Sequence, residues 1–256
     1  NVAVTVTVTL TPVLAPSISS QTNLDSVDVG ALVNLSASTT PNKSDQIPDS
    51  GFSWDIDGDG ISDGSGLTLE HLWDEPGNYT VRLSVISVDS RSASVTRAVR
   101  VVDMSAPSVS LGVTGEVTKG FGEQFSITAS FADNWGVDSL DWMLDGQIIV
   151  SNYSITDQFT TLILQVSEEF SPGQHVISLL VRDRSGMTTQ QDAIVNFIDV
   201  TAPEISQYEN QIEVDFGDQT ILQIFAQDNQ SEGLDYTWTI GQGTDDEIQF
   251  SGPLII

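Results

Sequence analysis

Apolar and polar residues alternate along most of this chain. Phe125, Ile127, Ala129 and Phe131 interleave with Gln124, Ser126, Thr128 and Ser130. Tyr79, Val81, Leu83 and Val85 interleave with Asn78, Thr80, Arg82 and Ser84. A period of two sends successive side chains to opposite faces, so each run predicts a strand with one face in a core and the other in water. The runs are rich in Val, Ile, Thr and aromatics, which suit a pleated, half-buried surface. Turn-forming clusters such as Pro48-Asp49-Ser50-Gly51 and Ser171-Pro172-Gly173 separate them. No segment shows the 3.6-residue period of an amphipathic helix. The expectation is an all-β chain.

The pattern also repeats on a longer scale. A tryptophan inside an alternating run recurs as Trp54, Trp142 and Trp238. A turn followed by a strand recurs as Pro76-Gly77-Asn78-Tyr79 and Pro172-Gly173-Gln174-His175. A junction recurs as Asp103-Met104-Ser105-Ala106-Pro107 and Asp199-Val200-Thr201-Ala202-Pro203. Pro107 and Pro203 are 96 residues apart, as are Pro76 and Pro172. That spacing fits a whole β-sandwich domain rather than one turn of a solenoid. The chain therefore divides into residues 1–14, the last strand of a preceding domain plus linker; 15–105 and 106–201, two sandwiches; and 202–256, the first strands of a third. Such an array predicts an elongated rod.

Charge narrows the function classes. Lys and Arg number 8 against 36 Asp and Glu, a formal net charge of −28. A surface this negative repels phosphate backbones and attracts cations, which argues against nucleic acid as a partner. No apolar run reaches the ~20 residues that a membrane-spanning helix needs. With 0 cysteines, disulfides and thiolate metal sites are excluded. No nucleophile elbow, metalloprotease helix or phosphate-cradling glycine loop is present, so no catalytic residue is assigned. His71 and His175 fall at strand positions that the repeat assigns to packing, and Glu168-Glu169 falls in a loop.

Trp54-Asp55-Ile56-Asp57-Gly58-Asp59-Gly60, His71-Leu72-Trp73 and Glu75-Pro76-Gly77-Asn78-Tyr79-Thr80-Val81, with Leu83 and Val85, resemble a PKD domain. Trp73 departs from the Tyr or Phe common at that place. Asp133-Asn134-Trp135-Gly136-Val137, Leu144-Asp145-Gly146 and Val181-Arg182-Asp183-Arg184-Ser185-Gly186 resemble a bacterial or archaeal Ig-like domain. The resemblance implies tandem PKD and Ig-like β-sandwiches in which a core tryptophan packs without a disulfide. It further implies a non-enzymatic, extracellular segment of a prokaryotic cell-surface protein, a spacer or adhesive scaffold. Self-assembly as a surface-layer or filament subunit with strand exchange is one alternative. An accessory or carbohydrate-binding module of a secreted hydrolase is another. The partners implied are neighbouring domains of the array, with identical subunits or cell-surface glycans as further candidates.

Calcium is the expected cofactor. Asp55, Asp57, Asp59 and Asp63 occupy places 1, 3, 5 and 9 of a tight turn, with Gly60 at place six. Alternate carboxylates on such a turn converge, and a hard, oxygen-seeking cation relieves their repulsion. Gly66 stands where an EF-hand needs Glu, so the turn is not of that type. In an Ig-type sandwich the loops at one end meet the exit of the preceding domain. That places Asp103 beside Asp133, Asn134 and Asp183, with Asp55–Asp63, Asp74 and Glu75 expected nearby. Asp199 and Asp228 are the counterparts at the next boundary. Asn-x-Ser/Thr triplets at Asn34, Asn42, Asn78, Asn152 and Asn229 are candidate glycan acceptors. Trp135, Trp73 and Tyr153 would form a sugar-stacking platform if exposed, and are otherwise expected to cover sheet ends.

Overall fold

The computed structural model describes residues 14–40, 47–113, 115–153, 155–207, 212–228, 233–243, 245 and 247–255. The first sandwich contains β1 (Ala15–Ser20), β2 (Val27–Asp28), β3 (Val33–Thr40), β4 (Phe52–Asp55), β5 (Gly64–Ser65), β6 (Thr68–His71), β7 (Gly77–Ile86) and β8 (Ser92–Val102). One sheet has the order β1-β3-β6 and the other β2-β8-β7-β4-β5. All pairs are antiparallel except β2 with β8, which runs parallel and sets Asp28 opposite Val102. Along β7 the alternation buries Val81, Leu83 and Val85, which join Val33 and Leu35 from the facing sheet around Trp54, itself 0% exposed. Burying Trp54 removes one of the largest apolar side chains from water, and its indole N–H donates to the Gly66 carbonyl at 2.9 Å, so no polar atom is stranded.

The second sandwich repeats the plan with β9 (Ser108–Leu111), β10 (Val117–Gly120), β11 (Gln124–Ala132), β12 (Val137–Leu144), β13 (Gln147–Tyr153), β14 (Phe159–Gln165), β15 (Gly173–Asp183) and β16 (Thr188–Ile198). Its sheets are β14-β11-β9 and β10-β16-β15-β12-β13, and β10 again adds in parallel, to β16. Phe125, Ile127, Ala129 and Phe131 all point into its core, as the alternation requires. Trp142 is 0% exposed at the centre. The β12–β13 hairpin turns on Asp145 (φ 49°) and Gly146 (φ 78°). Two consecutive left-handed residues match the twist of a two-residue hairpin, which is why Asp-Gly occupies it.

The remaining described residues carry short strands: β17 (Glu204–Gln207), β18 (Leu222–Gln223), β19 (Phe225–Gln227), β20 (Thr237–Ile240), β21 (Ile248–Ser251) and β22 (Leu254–Ile255). They pair as β17-β19, β18-β22 and β20-β21. Trp238 on β20 donates its indole N–H to the Gly252 carbonyl at 2.9 Å, the same bond that Trp54 makes to Gly66. The opening run, residues 2–10, lies outside the described residues.

Candidate metal centre at the domain seam

Three strand ends meet where the first sandwich passes into the second. Asp103 follows β8, Asp133 follows β11, and Asp183 closes β15. Each carboxylate spends one oxygen on its own backbone. Asp103 Oδ1 accepts the Ser105 N–H at 3.2 Å. Asp133 Oδ1 accepts the N–H groups of Trp135 at 2.8 Å and Gly136 at 2.7 Å. Asp183 Oδ1 accepts the Met187 N–H at 2.8 Å and the Ser185 hydroxyl at 2.7 Å. These short Asp-anchored turns are ordinary local chemistry.

The second oxygens are not ordinary. Oδ2 of Asp103, Asp133 and Asp183 are each shielded from solvent and have no hydrogen-bond partner. Ligand oxygens of the three residues lie within 4.8 Å of one another, and Asp183 is 1% exposed. At that separation two negative charges repel by roughly 3–4 kcal/mol with an effective dielectric constant near 20. Buried polar atoms are almost always satisfied, so three unpartnered carboxylate oxygens on one cluster make this a candidate cation site. All-oxygen, all-carboxylate donors suit a hard divalent ion, calcium above softer metals.

The same seam is clamped by direct contacts. Asp28, at the end of β2, accepts the Met104 N–H at 2.9 Å and the Ser105 hydroxyl at 2.6 Å. The Asn134 side-chain amide reaches across from the second sandwich to Asp28 Oδ1 at 3.1 Å and to the Val29 carbonyl at 3.0 Å. Burial pushes the Asp28 carboxyl up, but the bonds from Ser105, Met104 and Asn134 outweigh it and hold the group below its ordinary value. Half-buried Trp135 packs against the core of the first sandwich. Its carbonyl accepts from the Arg184 guanidinium at 3.3 Å.

The structure thus brings Asp103, Asp133 and Asp183 together and turns the Asn134 amide toward the first domain. Asp55, Asp57 and Asp63 form a separate group; Asp59 does not join it. There the carboxylates already serve the turn. Asp55 accepts the N–H groups of Gly58 at 2.7 Å and Gly60 at 3.1 Å. Asp63 accepts the Ile56 N–H at 2.7 Å, Asp57 that of Asp59 at 3.1 Å, and Asp59 that of Ile61 at 2.7 Å. Gly60 adopts φ 88°, as a tight turn demands. At the next boundary Asp199 accepts the Thr201 N–H at 2.9 Å, repeating the Asp103 turn. Asp228 gathers into no carboxylate group among the described residues. Asn34, Asn78 and Asn152 are exposed on strands, while Asn42 and Asn229 lie outside the described residues. Trp73 and Trp135 cover sandwich ends rather than forming a platform with Tyr153, which stands exposed.

Asp28 and Arg184 carry roles at the seam that the linear pattern did not single out. Asp28 sits in a loop-like Ser-Val-Asp-Val-Gly string, and only the parallel register of β2 with β8 brings it to Asp103.

Residues 14–102 match the family model of the PKD domain. Several solved structures are similar to the chain. The fibronectin(III)-like modules of Clostridium thermocellum CbhA are 19% identical over 78% of this chain and 100% of that one, with a TM-score of 0.34. A three-Ig segment of titin is 12% identical over 91% and 81% of the two chains, with a TM-score of 0.43. The z1z2 domains of titin in complex with telethonin are 17% identical over 75% and 100%, with a TM-score of 0.40. No curated protein matches the chain. Among the described residues no helix is long and apolar enough to cross a membrane.

Proposed function

Starting from a PKD domain at residues 14–102 joined to a second sandwich, we propose that this chain is a non-catalytic spacer or adhesive segment of a secreted prokaryotic cell-surface protein. Calcium held by Asp103, Asp133 and Asp183 fixes the angle between consecutive domains. The observation that carries this reading is that Asp103, Asp133 and Asp183 each bring a carboxylate oxygen within 4.8 Å of the others, while each also keeps a buried Oδ2 without a partner. One ligand comes from the linker after the first sandwich and two from the second, Asp133 in the loop after β11 and Asp183 at the end of β15, so an ion bound to all three is a strut between domains. Without it, the carboxylates repel and the linker swings away from Asp133 and Asp183. With it, Asn134 and Trp135 are drawn onto Asp28, Val29 and the first core.

Small-angle scattering with calcium and with chelator tests this directly. Calcium is expected to narrow the distribution of end-to-end distances, and Asp103→Asn with Asp183→Asn to abolish the narrowing. Identical profiles in the two media would remove the ion from the joint. Sedimentation in both media separates this from self-assembly, which predicts a mass that grows with concentration.

A further inference from the structure

The two sandwiches share one plan, but their outer faces differ. β7 and β15 each follow a Pro-Gly turn, which aligns Thr80 with Val176, Arg82 with Ser178 and Ser84 with Leu180. The residues between them, Val81 and Leu83 or Ile177 and Leu179, enter the cores, so these three point outward. In the first sandwich that face is polar, with Ser53, Ser94 and Thr96 beside Arg82 and Ser84. In the second it is apolar. Val176 and Ile194 lie opposite each other, 40% and 46% exposed. Met143, half-buried, lies between Ser178 and Ile148, which is 60% exposed. Leu180 extends the patch along β15. Aliphatic side chains from β13, β12, β15 and β16 thus meet on a face that the sister domain keeps polar.

Single exposed aliphatics are ordinary, whereas a contiguous group with a polar rim marks an interaction surface. Four strands at a spacing of ~4.8 Å make the patch roughly 14 Å wide, and Val176 to Leu180 at ~3.4 Å per residue make it roughly 13 Å long. One α-helix with its side chains is about 10–12 Å across, so the patch takes a single helix. The border is acidic on three sides. Asp141 lies opposite Leu180 and Asp192 opposite Ser178. Asp145 accepts the Val176 N–H at 2.9 Å. On the fourth side Arg182 turns its guanidinium to the Gly186 carbonyl at 3.2 Å.

We propose that this face of the second sandwich docks an amphipathic helix of another protein, its apolar stripe flanked by Lys and Arg. Charge selects that occupant. An apolar centre bordered by carboxylates is complementary to apolar side chains bordered by cations, which also steer the approach. A second copy brings the same carboxylates and the same net charge of −28, and anionic lipid or nucleic acid is repelled likewise. A helix laid on a sheet face buries both apolar surfaces, as the layers of ordinary domains do. The small apolar area makes this a transient contact rather than an obligate one. It is independent of the ion at the seam, because Asp103, Asp133 and Asp183 take no part in it.

The test uses the intact chain and a cross-linked helical peptide as probe, with leucines along one stripe and lysines on both flanks. Its twin carries glutamates in place of the lysines. Binding is followed by methyl NMR. The lysine peptide is expected to shift the methyl signals of Val176, Leu180 and Ile194 and to leave those of Thr80 and Ala98 in the first sandwich unmoved. It is expected to bind about tenfold more tightly than the glutamate twin. Val176→Thr with Ile194→Ala copies the Thr80 and Ala98 pair of the first sandwich. Both side chains are exposed, so the variant is expected to keep its Tm and to lose about tenfold in affinity. Equal affinity for the two peptides, shifts spread over both sandwiches, or undiminished binding by the variant would each overturn the proposal. Dimerisation of the chain that this variant abolishes would overturn it too, by assigning the face to a second copy.

Discussion

Asp183→Asn is the sharpest probe of the seam, because its effect on stability is expected to change sign with calcium. Asn keeps Oδ1, which accepts from Met187 and Ser185, so the local turn survives. Only Oδ2 is exchanged, for an amide that donates toward Asp103 and Asp133. In chelator the linker carrying Asp103 can swing clear, but Asp133 and Asp183 belong to one sandwich and cannot part. Their repulsion, roughly 3 kcal/mol or more at a separation of no more than 4.8 Å and an effective dielectric constant near 20, remains in the wild type. The substitution removes it. At 4–8 °C per kcal/mol for a domain of this size, Tm of the second sandwich rises on the order of 10 °C. In calcium the variant loses an anionic ligand, and binding that at [Ca] about 100 times Kd contributes about 2.7 kcal/mol is cut back, so Tm falls. Differential scanning calorimetry in the two media reads both signs. If Asp183 merely anchored its turn, the shifts would agree in sign, and the metal reading would fail.

Trp135→Ala removes half a buried indole from the first core, and at about 25 cal/mol per Å2 the loss is about 1–2 kcal/mol. The first sandwich is expected to melt a few degrees lower, with scattering showing a looser seam even in calcium; an unchanged profile would mean that the ring only shields the end of its own sandwich. The two histidines pull the domains apart in pH. Burial lowers the affinity of His175 for its proton, but Asp145 at 2.6 Å and the Ser171 carbonyl at 2.8 Å both accept from the ring, and the net shift is upward. Its stabilisation is therefore full below the unfolded value of 6.5 and is lost as pH rises through the folded value. For His71, burial lowers the pKa and the nearby Asp63, Asp74 and Asp57 only partly oppose it. Its contribution is present above 6.5 and lost as pH falls through the folded value. Acidification from pH 8 to 5 is expected to favour the second sandwich relative to the first in residue-resolved hydrogen exchange, and His175→Gln to remove the second domain's share of that trend.

Alternation carried the fold because each strand is half in a core, and a period of two is the direct imprint of that burial. Phe125 to Phe131 and Val81 to Val85 therefore need no tertiary information to be placed. The repeat likewise marks Trp54, Trp142 and Trp238 as equivalent before any coordinate is known. Asp103, Asp133 and Asp183 were legible at a coarser level, through the rule that puts sandwich loops against the preceding exit. Spacing alone could not tell them from Asp55, Asp57 and Asp63. Both sets are carboxylates on turns, and what separates them is burial: Asp57 and Asp63 also spend one oxygen each but stand exposed, whereas Oδ2 of Asp103, Asp133 and Asp183 is shielded from solvent. Only Asp55 has both oxygens taken, by Gly58 and Gly60, whereas Met187 and Ser185 take one oxygen of Asp183. Trp73 was legible as a cover for a sheet end, but its unpartnered N–H is a property of the packed state.

The seam shows how a tandem array can have rigid modules and an adjustable joint from one set of residues. Each sandwich is complete in its own hydrophobic core, so the cores contribute little to the angle between domains beyond the single ring of Trp135. The orienting contacts are polar: Asn134 on Asp28 and Val29, Ser105 on Asp28, and the three carboxylates. Exposed hydrogen bonds such as the Asn134 clamp are each worth about 1 kcal/mol, comparable to thermal agitation of the linker. Buried like charges weigh several times that against closure, and a shared divalent ion reverses their sign. On the proposed reading, control of the joint passes from the cores to the ion. The Asp199–Thr201 turn, repeating that of Asp103–Ser105, places the first element of the same arrangement one period further along the chain.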